Sequence, residues 1–408
     1  MARVLKLNDS VSWVGVIDKD IVTFDIVMET QSGTTYNSYF IDAGKKAVIE
    51  TVKETFWDEY IEKLKSITDP ADIEVIVLNH TEPDHSGCVG KLLQLAPKAK
   101  IYGSRQAINY LSEIINVPFQ SVVVKDNDTL SLGNKTLRFI AAPNLHWPDT
   151  MYTYLEEDQL LFTCDSFGAH FSDERIFDDL VSDYNKEFDY YFDVILKPFS
   201  KFMLKAIEKI APLEIKAVCP GHGPILRSTW KEKVERSRKA SEIYLADSIC
   251  KGKKILITYV SAYGYTKQIA HEIADILGKK IGGEVTVADI EKMPLGKLEE
   301  LIIKSNVILV GTPTLNQNTV LPVYKVFSVL NPIRDRGKKA AVFGSYGWSG
   351  EAVKIVENQL RQLKLSVITE GFSAKFSPGG EKSLALTQFA ERLAAEILKD
   401  DEVASEGN

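Results

Sequence analysis

From Lys253 to the C-terminus, short apolar runs alternate with helical patterns, and that alternation leaves few folds open. "KILITYV" reads as a strand, "TKQIAHEIADILGKKI" as a helix and "EVTVADI" as a strand. "NVILVGTP", "KKAAVFGSY" and "LSVITEGF" are three more strands, with "GEAVKIVENQLRQLK" a helix before the last and "SLALTQFAERLAAEILK" the closing helix. Strands that are apolar along their whole length are buried on both faces, and parallel neighbours need a crossover between them. Five such runs predict a doubly wound five-stranded parallel sheet. The tail "DDEVASEGN" should fray.

The chain has 408 residues, 45% of them hydrophobic, which is too long for one ordinary core. Two domains are predicted, residues 1–250 and 251–408, separated at the polar break "CKGKK". The first opens with strand-like stretches, "SVSWVGVID", "DIVTFDIVM" and "TTYNSYFIDAGKKAVIETV". "ETFWDEYIEKLKSI" then reads as a helix, "IEVIVLNH" as a buried strand, "GCVGKLLQLAP" as a helix and "AKIYGS" as a strand. Short strands joined by polar turns follow in "SVVVKDNDTLSLGNKTLRFIAAP", "MYTYLEED" and "QLLFTCDS". "DVILKPFSKFMLKAIEKI" and "WKEKVERSRKASEIYLADSI" are helices on either side of the strand "IKAVCPG". Strands first and αβ alternation later predict sheets covered by helices.

A net charge of −7 argues against nucleic acid or an anionic membrane as the main partner. No apolar run is long enough to span a bilayer, and Asn8, Asp9 and Asp18 interrupt the opening residues, unlike a secretory signal. The four cysteines, Cys88, Cys164, Cys219 and Cys250, form no C-x-x-C pair. That disfavours a cysteine zinc or iron site and a built-in rubredoxin module, and fits a reducing, cytoplasmic setting.

Of six histidines, five lie in the first domain. His80 and His85 stand in "LNHTEPDHSG", His146 in "AAPNLHWPD" and His222 in "AVCPGHGP", each in a loop after an apolar strand. Asp165 follows "LLFTC" in the same way. Ligand-type side chains thus collect at the C-terminal ends of four strands, the edge where layered α/β folds build their sites. A lone buried histidine is more often a hydrogen-bonded core residue, and His271, inside a helical pattern, is read so. Seven metal-ligating side chains on four strand ends are not explained that way.

The spacing H-x-[HE]-x-D-H resembles the metallo-β-lactamase fold, an αββα sandwich whose hydrolases commonly carry H-x-H-x-D-H and bind zinc. Glu82 replaces the second histidine here, and "NHTEPDHSG", "LHWPD", "CDSFG" and "PGHG" together resemble the flavodiiron proteins, or A-type flavoproteins. The resemblance implies one metal held by His80, Glu82 and His146, a second by Asp84, His85 and His222, and Asp165 bridging them. Imidazole with carboxylate suits iron or manganese more than a thiolate-loving metal. Two ferrous ions against three carboxylates and one hydroxide are neutral, which limits the cost of burial. The resemblance also places His170 near a substrate pocket, with a surface or capping histidine as the equal alternative, and leaves Tyr190 and Tyr191 both open as lining residues.

In the second domain, "ITYVSAYGYTKQIA" is strand, hydroxyl-rich turn and helix. Backbone amides at a helix N-terminus bind phosphate without a basic side chain. Neither a GxxxxGK nor a GxGxxG fingerprint is present. Three loops resemble the flavodoxin phosphate loop and its two ring-binding loops. They imply an FMN site formed by Ser261, Ala262, Tyr263, Gly264, Tyr265 and Thr266; by Pro313, Thr314, Leu315 and Asn316; and by Ser345, Tyr346, Gly347, Trp348 and Gly350. Trp348 is the expected ring contact, and Ser261 and Thr266 keep the outer hydroxyls of the family's phosphate loop.

The family resemblance implies two Fe and one FMN per chain, and reduction of O2 to water, of NO to N2O, or of both. O2 to water takes four electrons and two NO to N2O take two; two ferrous ions and a reduced flavin supply four. It further implies a head-to-tail homodimer, or a dimer of dimers, and an external donor, rubredoxin or reduced deazaflavin (F420H2). Two other functions compete: a zinc hydrolase with an accessory flavodoxin half, and a non-enzymatic redox carrier.

Overall fold

The computed structural model describes residues 3–24, 28–248 and 253–405. Cys250 and most of the break "CKGKK" lie outside the described residues, as do 25–27 of the expected strand "DIVTFDIVM". The chain divides into two units, Met1–Leu245 and Ala246–Asn408. The division falls inside the helix Trp230–Ser248, a few residues before the expected break. Among the described residues no helix is long and apolar enough to cross a membrane.

In the first unit one sheet runs Leu5–Lys6, Val11–Trp13, Tyr39–Ile41, Lys46–Ile49, Ile73–Val77, Lys100–Gly103 and Ser121–Val123, in that spatial order. A second runs Thr129–Ser131, Thr136–Ala141, Met151–Leu155, Leu160–Cys164 and Ala217–Pro220. Side chains alternate across each strand, so each sheet has two faces to bury. Ala47, Ile49, Val75 and Val77 meet Leu137, Phe139, Leu160 and Phe162 of the second sheet in one core. Val48, Ile76 and Ile101 point the other way, onto the helices Trp57–Ile67 (Tyr60, Leu64), Val89–Leu95 (Leu92) and Arg105–Ile115 (Leu111). Ile140, Tyr152, Leu161 and Val218 cover the far face with Phe188, Met203, Ile207 and Val234. The result is four layers, αββα.

Three details differ from the sequence reading. "SVSWVGVID" is two strands, Val11–Trp13 and Val16–Asp18, in different sheets. They part at Gly15, where a Cβ would fall 2.3 Å from the Tyr36 carbonyl oxygen. The helix Arg105–Ile115 was not read, although Ser104 caps it by accepting the Ala107 N–H. "DVILKPFSKFMLKAIEKI" is not one helix: Phe192–Leu196 is a π turn and Lys197–Phe199 a 3₁₀ turn before Ser200–Ile210. Pro198, which has no N–H to donate, sits in that interruption.

The second unit is a parallel sheet in the order Glu284–Asp289, Lys254–Tyr259, Val307–Pro313, Lys339–Tyr346 and a fifth edge position. Two short segments, Ser366–Val367 and Phe372–Lys375, occupy that edge in place of the single expected strand. At the gap the buried Glu357 carboxylate accepts the Gly371 N–H at 2.6 Å, replacing a ladder bond. Ile257, Leu309 and Phe343 face the helices Tyr265–Ile281 and Glu381–Ser405, and Ile308, Val310 and Val342 face the other side. The closing helix continues to Ser405 where fraying was expected from Asp400, because no glycine or proline interrupts the chain before Gly407; residues 406–408 lie outside the described residues. His271 is exposed on its helix, edge-on to Tyr259, and is not the core histidine expected.

Candidate metal centre and flavin site

Four parallel-running strand ends converge at one edge of the first unit's sandwich. Ile73–Val77 leads into His80 and Glu82, and the single helical turn Pro83–Ser86 carries Asp84 and His85. His146 follows Thr136–Ala141, Asp165 follows Leu160–Cys164, and His222 follows Ala217–Pro220. Cys164 (φ 50°) and Phe167 (φ 66°), on either side of Asp165, both sit in the left-handed region, which costs a non-glycine residue of order 1–3 kcal/mol. Strain of that kind on both flanks marks a side chain held where the local backbone would not place it.

The seven residues sort into two sets that share Asp165. In one, Glu82 Oε2 lies 3.2 Å from His80 Nε2 and 3.1 Å from His146 Nε2, and Asp165 Oδ2 lies 3.6 Å from each. In the other, Asp84 Oδ2 lies 3.4 Å from His85 Nε2 and 3.1 Å from His222 Nε2, with Asp165 Oδ1 at 3.2 and 3.5 Å. Each oxygen of one carboxylate therefore serves one set.

Two dinuclear-site features fit metal ions here. Both Asp84 oxygens and Asp165 Oδ2 are buried without a hydrogen-bond partner among the described residues, although imidazole nitrogens are close. The donor atoms of His80, Glu82, His146 and Asp165 lie within 4.8 Å of one another, as do those of Asp84, His85 and His222, a spacing that one cation per group can bridge. The donor set, four imidazoles and three carboxylates without thiolate, suits iron. Without metal, protons take the cations' place. Burial opposes charge on His222, but Asp165 and Asp84 outweigh it and push its pKa up to about 10. His80 and His85 are raised against burial by the carboxylates beside them. Glu82 and Asp165 are held well below the usual carboxylate range, against burial, by the surrounding histidines.

Outer contacts fix the rings. His80 Nδ1 is 3.1 Å from both oxygens of Asp149, which also accepts the Thr81 N–H and hydroxyl. His222 Nδ1 is 2.7 Å from the Thr35 carbonyl oxygen. Asp149 was not singled out from the sequence; in "LHWPDTM" it reads as a loop carboxylate. Of the two tyrosines left open, Tyr191 is buried and its hydroxyl donates to Asp165 Oδ1 at 3.1 Å. It is the last residue before the π turn, an irregularity often found at working sites. Tyr190 is half exposed and lines a cavity of about 370 Å³ with Thr30, Gln31, Lys186 and His170. His170 is buried, not a surface cap. Its Nδ1 meets the Thr34 hydroxyl at 2.9 Å, and burial, with His222 adding, depresses its pKa well below the ordinary value. Glu82 and His146 keep 15% and 19% of their side chains exposed; the other five candidate side chains are nearly closed off.

Comparison with known proteins decides the family. Residues 34–223 match the ODP family beta lactamase model and residues 257–387 the flavodoxin model. The flavo-diiron protein of Clostridium acetobutylicum is 37% identical over 96% of this chain and 99% of its own length. The nitric oxide reductase of Moorella thermoacetica is 35% identical over 97% and 100%. The chain belongs to the flavodiiron family. Among solved structures, rubredoxin:oxygen oxidoreductase from Desulfovibrio gigas aligns with a TM-score of 0.69 at 26% identity, covering 97% of this chain and 98% of that one. As a flavodiiron protein the chain is an oxidoreductase that carries a diiron centre and FMN.

In the flavodoxin-like unit the three loops expected to hold the flavin meet at the ends of the central strands. Gly264 (φ 85°) is the turn that starts the helix Tyr265–Ile281, and no atom would obstruct a group beside it. Ser261 Oγ accepts the Lys267 N–H at 3.2 Å, and Thr266 Oγ1 lies 2.8 Å from Ser345 Oγ, tying the first loop to the third. The Thr314 N–H donates to the Ser345 carbonyl oxygen, tying the second. Asn316 and Gln317 both have positive φ in a tight turn between Leu315 and Asn318. An open helix N-terminus ringed by hydroxyls fits a phosphate, and exposed rings fit a flavin: Tyr263 is 83% exposed and Trp348 80%. Phe376 was missed. It donates its N–H to the Tyr346 carbonyl oxygen, and its ring lies where a Cβ on Gly347 would come within 2.8 Å. Its left-handed backbone (φ 55°) is the only cue, and no sequence pattern carries it.

Proposed function

We propose that this chain reduces O2 to water, NO to N2O, or both, with iron ligated by His80, Glu82, His146 and Asp165 in one subsite and by Asp84, His85, His222 and Asp165 in the other. The observation that carries the reading is the sharing of Asp165 between two four-ligand sets with a carboxylate, Glu82, where hydrolases of this fold carry histidine. When bound, the irons supply two electrons and Lewis acidity, and FMN supplies two more. The chain's own residues do the rest. Glu82 and His146 form the opening through which a diatomic gas reaches the centre. Tyr191 holds a proton at its hydroxyl against Asp165 Oδ1, next to where charge develops. His170, neutral at working pH, walls the cavity side without adding charge.

The exposed flavin-loop rings and the exposed edge at Glu82 and His146 support a head-to-tail homodimer in which FMN of one subunit faces the irons of its partner. Rubredoxin is the proposed donor, in keeping with the named relative from Desulfovibrio gigas, and three buried unpaired cysteines support the cytoplasm as the setting. The test uses protein reduced by an artificial donor, with oxygen and NO electrodes. Wild type is expected to consume at least one gas and Asp165→Ala neither. Iron- and FMN-replete protein that consumes neither gas would remove the reading, and light scattering from a fully active monomer would remove the dimer.

A further inference from the structure

Two of the metal-site imidazoles have an identifiable task for the nitrogen that faces away from the centre. His80 is backed by Asp149 and His222 by the Thr35 carbonyl oxygen. His85 is the exception: its Nδ1 is buried and has no hydrogen-bond partner among the described residues. A ring that gives Nε2 to a metal carries its proton on Nδ1, and a buried N–H without an acceptor is costly.

One acceptor is near and idle. Glu50 ends the strand Lys46–Ile49, is buried, and has positive φ (60°). Its Oε1 accepts the Asn79 N–H at 2.7 Å, and its Oε2 is buried without a partner among the described residues. A Glu50 carboxylate oxygen, a His85 ring nitrogen and the Cys164 sulfur lie within 4.8 Å of one another. A separation within that limit but beyond direct hydrogen-bond reach is closed by one water making hydrogen bonds of about 2.8 Å, with the thiol as a third neighbour. Gly221 bounds the other side so closely that a Cβ there would sit 3.2 Å from Nδ1. The three groups do not form a third metal site, because His85 already faces Asp84 and Asp165 with Nε2.

We infer that Glu50 is the positioning residue for the Asp84–His85–His222 subsite, accepting the His85 Nδ1 proton through one water, as Asp149 does directly for His80. The same carboxylate holds the backbone one residue before His80, so it ties the two subsites together. This rests on the ligand assignment proposed above.

Metal-free protein titrated anaerobically with cobalt(II) and followed by its visible absorption tests the inference. Wild type takes up two ions. Glu50→Gln keeps the shape but has one acceptor oxygen for two donors, so one of the two binding steps is expected to weaken roughly 10- to 100-fold while the other holds. Asp149→Asn should weaken the opposite step, and His85→Ala should abolish the step that Glu50→Gln weakens. A merely structural role would shift thermal unfolding and leave the two steps in their wild-type ratio. Unchanged steps in Glu50→Gln, with one lost in His85→Ala, would overturn the role of Glu50 alone; two wild-type steps in His85→Ala would overturn the ligand assignment instead. Three ions bound by wild type would also overturn it. If Glu50→Gln does not fold, the zinc-loaded wild type decides by nitrogen-15 histidine NMR: a His85 Nδ1–H protected from exchange supports the inference, and a rapidly exchanging one refutes it.

Discussion

A single methyl group at Gly221 should cost the protein one of its two metals. A Cβ at this position would lie 2.6 Å from His85 Cε1 and 3.2 Å from its Nδ1. Ordinary contact begins near 3.4 Å, so the ring must retreat by 3.4 − 2.6, or 0.8 Å. Metal–ligand distances tolerate only about 0.2 Å, so the displaced imidazole no longer reaches its ion. The backbone has little room to yield instead, since the Gly221 N–H bonds the Cys164 carbonyl oxygen at 2.6 Å and its carbonyl oxygen takes the Asn37 N–H at 2.8 Å. Gly221 is not in the left-handed region, so conformational strain does not confuse the result. The assay is anaerobic reconstitution with ferrous iron, followed by iron and flavin counts per chain. Gly221→Ala should hold one iron and a full complement of FMN; Gly278→Ala, with open space around it, should hold two irons. Two irons bound with wild-type affinity in Gly221→Ala would show that His85 is not a ligand held at this distance.

Tyr191→Phe should keep both metals and FMN yet slow gas consumption, because a hydrogen bond to a charged group worth about 1.5–3 kcal/mol is lost at Asp165; iron loss alongside would mean that the phenol builds the site. The metal-free protein should lose thermal stability between pH 6.5 and 10. His222 has a folded pKa near 10, so its contribution is complete below its ordinary value and disappears as pH rises through the folded one. The gain in melting temperature on adding metal should therefore widen over that range, and a constant gain would contradict the proton-for-metal exchange. Thr266→Val breaks the link to Ser345, and should raise the FMN dissociation constant by about fivefold, read by recovery of flavin fluorescence on dilution.

Most of the candidate metal centre is legible in the sequence because His80, Glu82, Asp84 and His85 crowd behind one apolar run and His146, Asp165 and His222 each follow another, where a charged or imidazole side chain needs a reason. Glu50 carries a similar cue in "AVIETV", but the strand-like stretch reads on through Val52 and so does not mark Glu50 as a strand end. Asp149 has no such cue; its partner is far away in the chain, and only folding brings them together. Choosing Tyr191 over Tyr190 needs the phase of a helix whose π turn breaks the 3.6-residue period just after it. The doubly wound sheet is legible from five apolar runs, but the break in its fifth strand is not, since it depends on Glu357 reaching Gly371 from a helix. The two-sheet sandwich was legible as strands and helices, while its layer order rests on which alternate residues face inward.

The uneven cover over the centre makes its two ions unequal in history as well as in place. The rear subsite is the more covered, with 9, 1 and 1% of the Asp84, His85 and His222 side chains exposed, whereas Glu82 and His146 at the front keep 15 and 19%. On the proposed ligand assignment the more covered ion exchanges more slowly with solvent, so chelation is expected to empty the front subsite first. A chain short of iron would thus keep its rear ion and lose the front one, leaving a half-filled centre that a different divalent metal can complete.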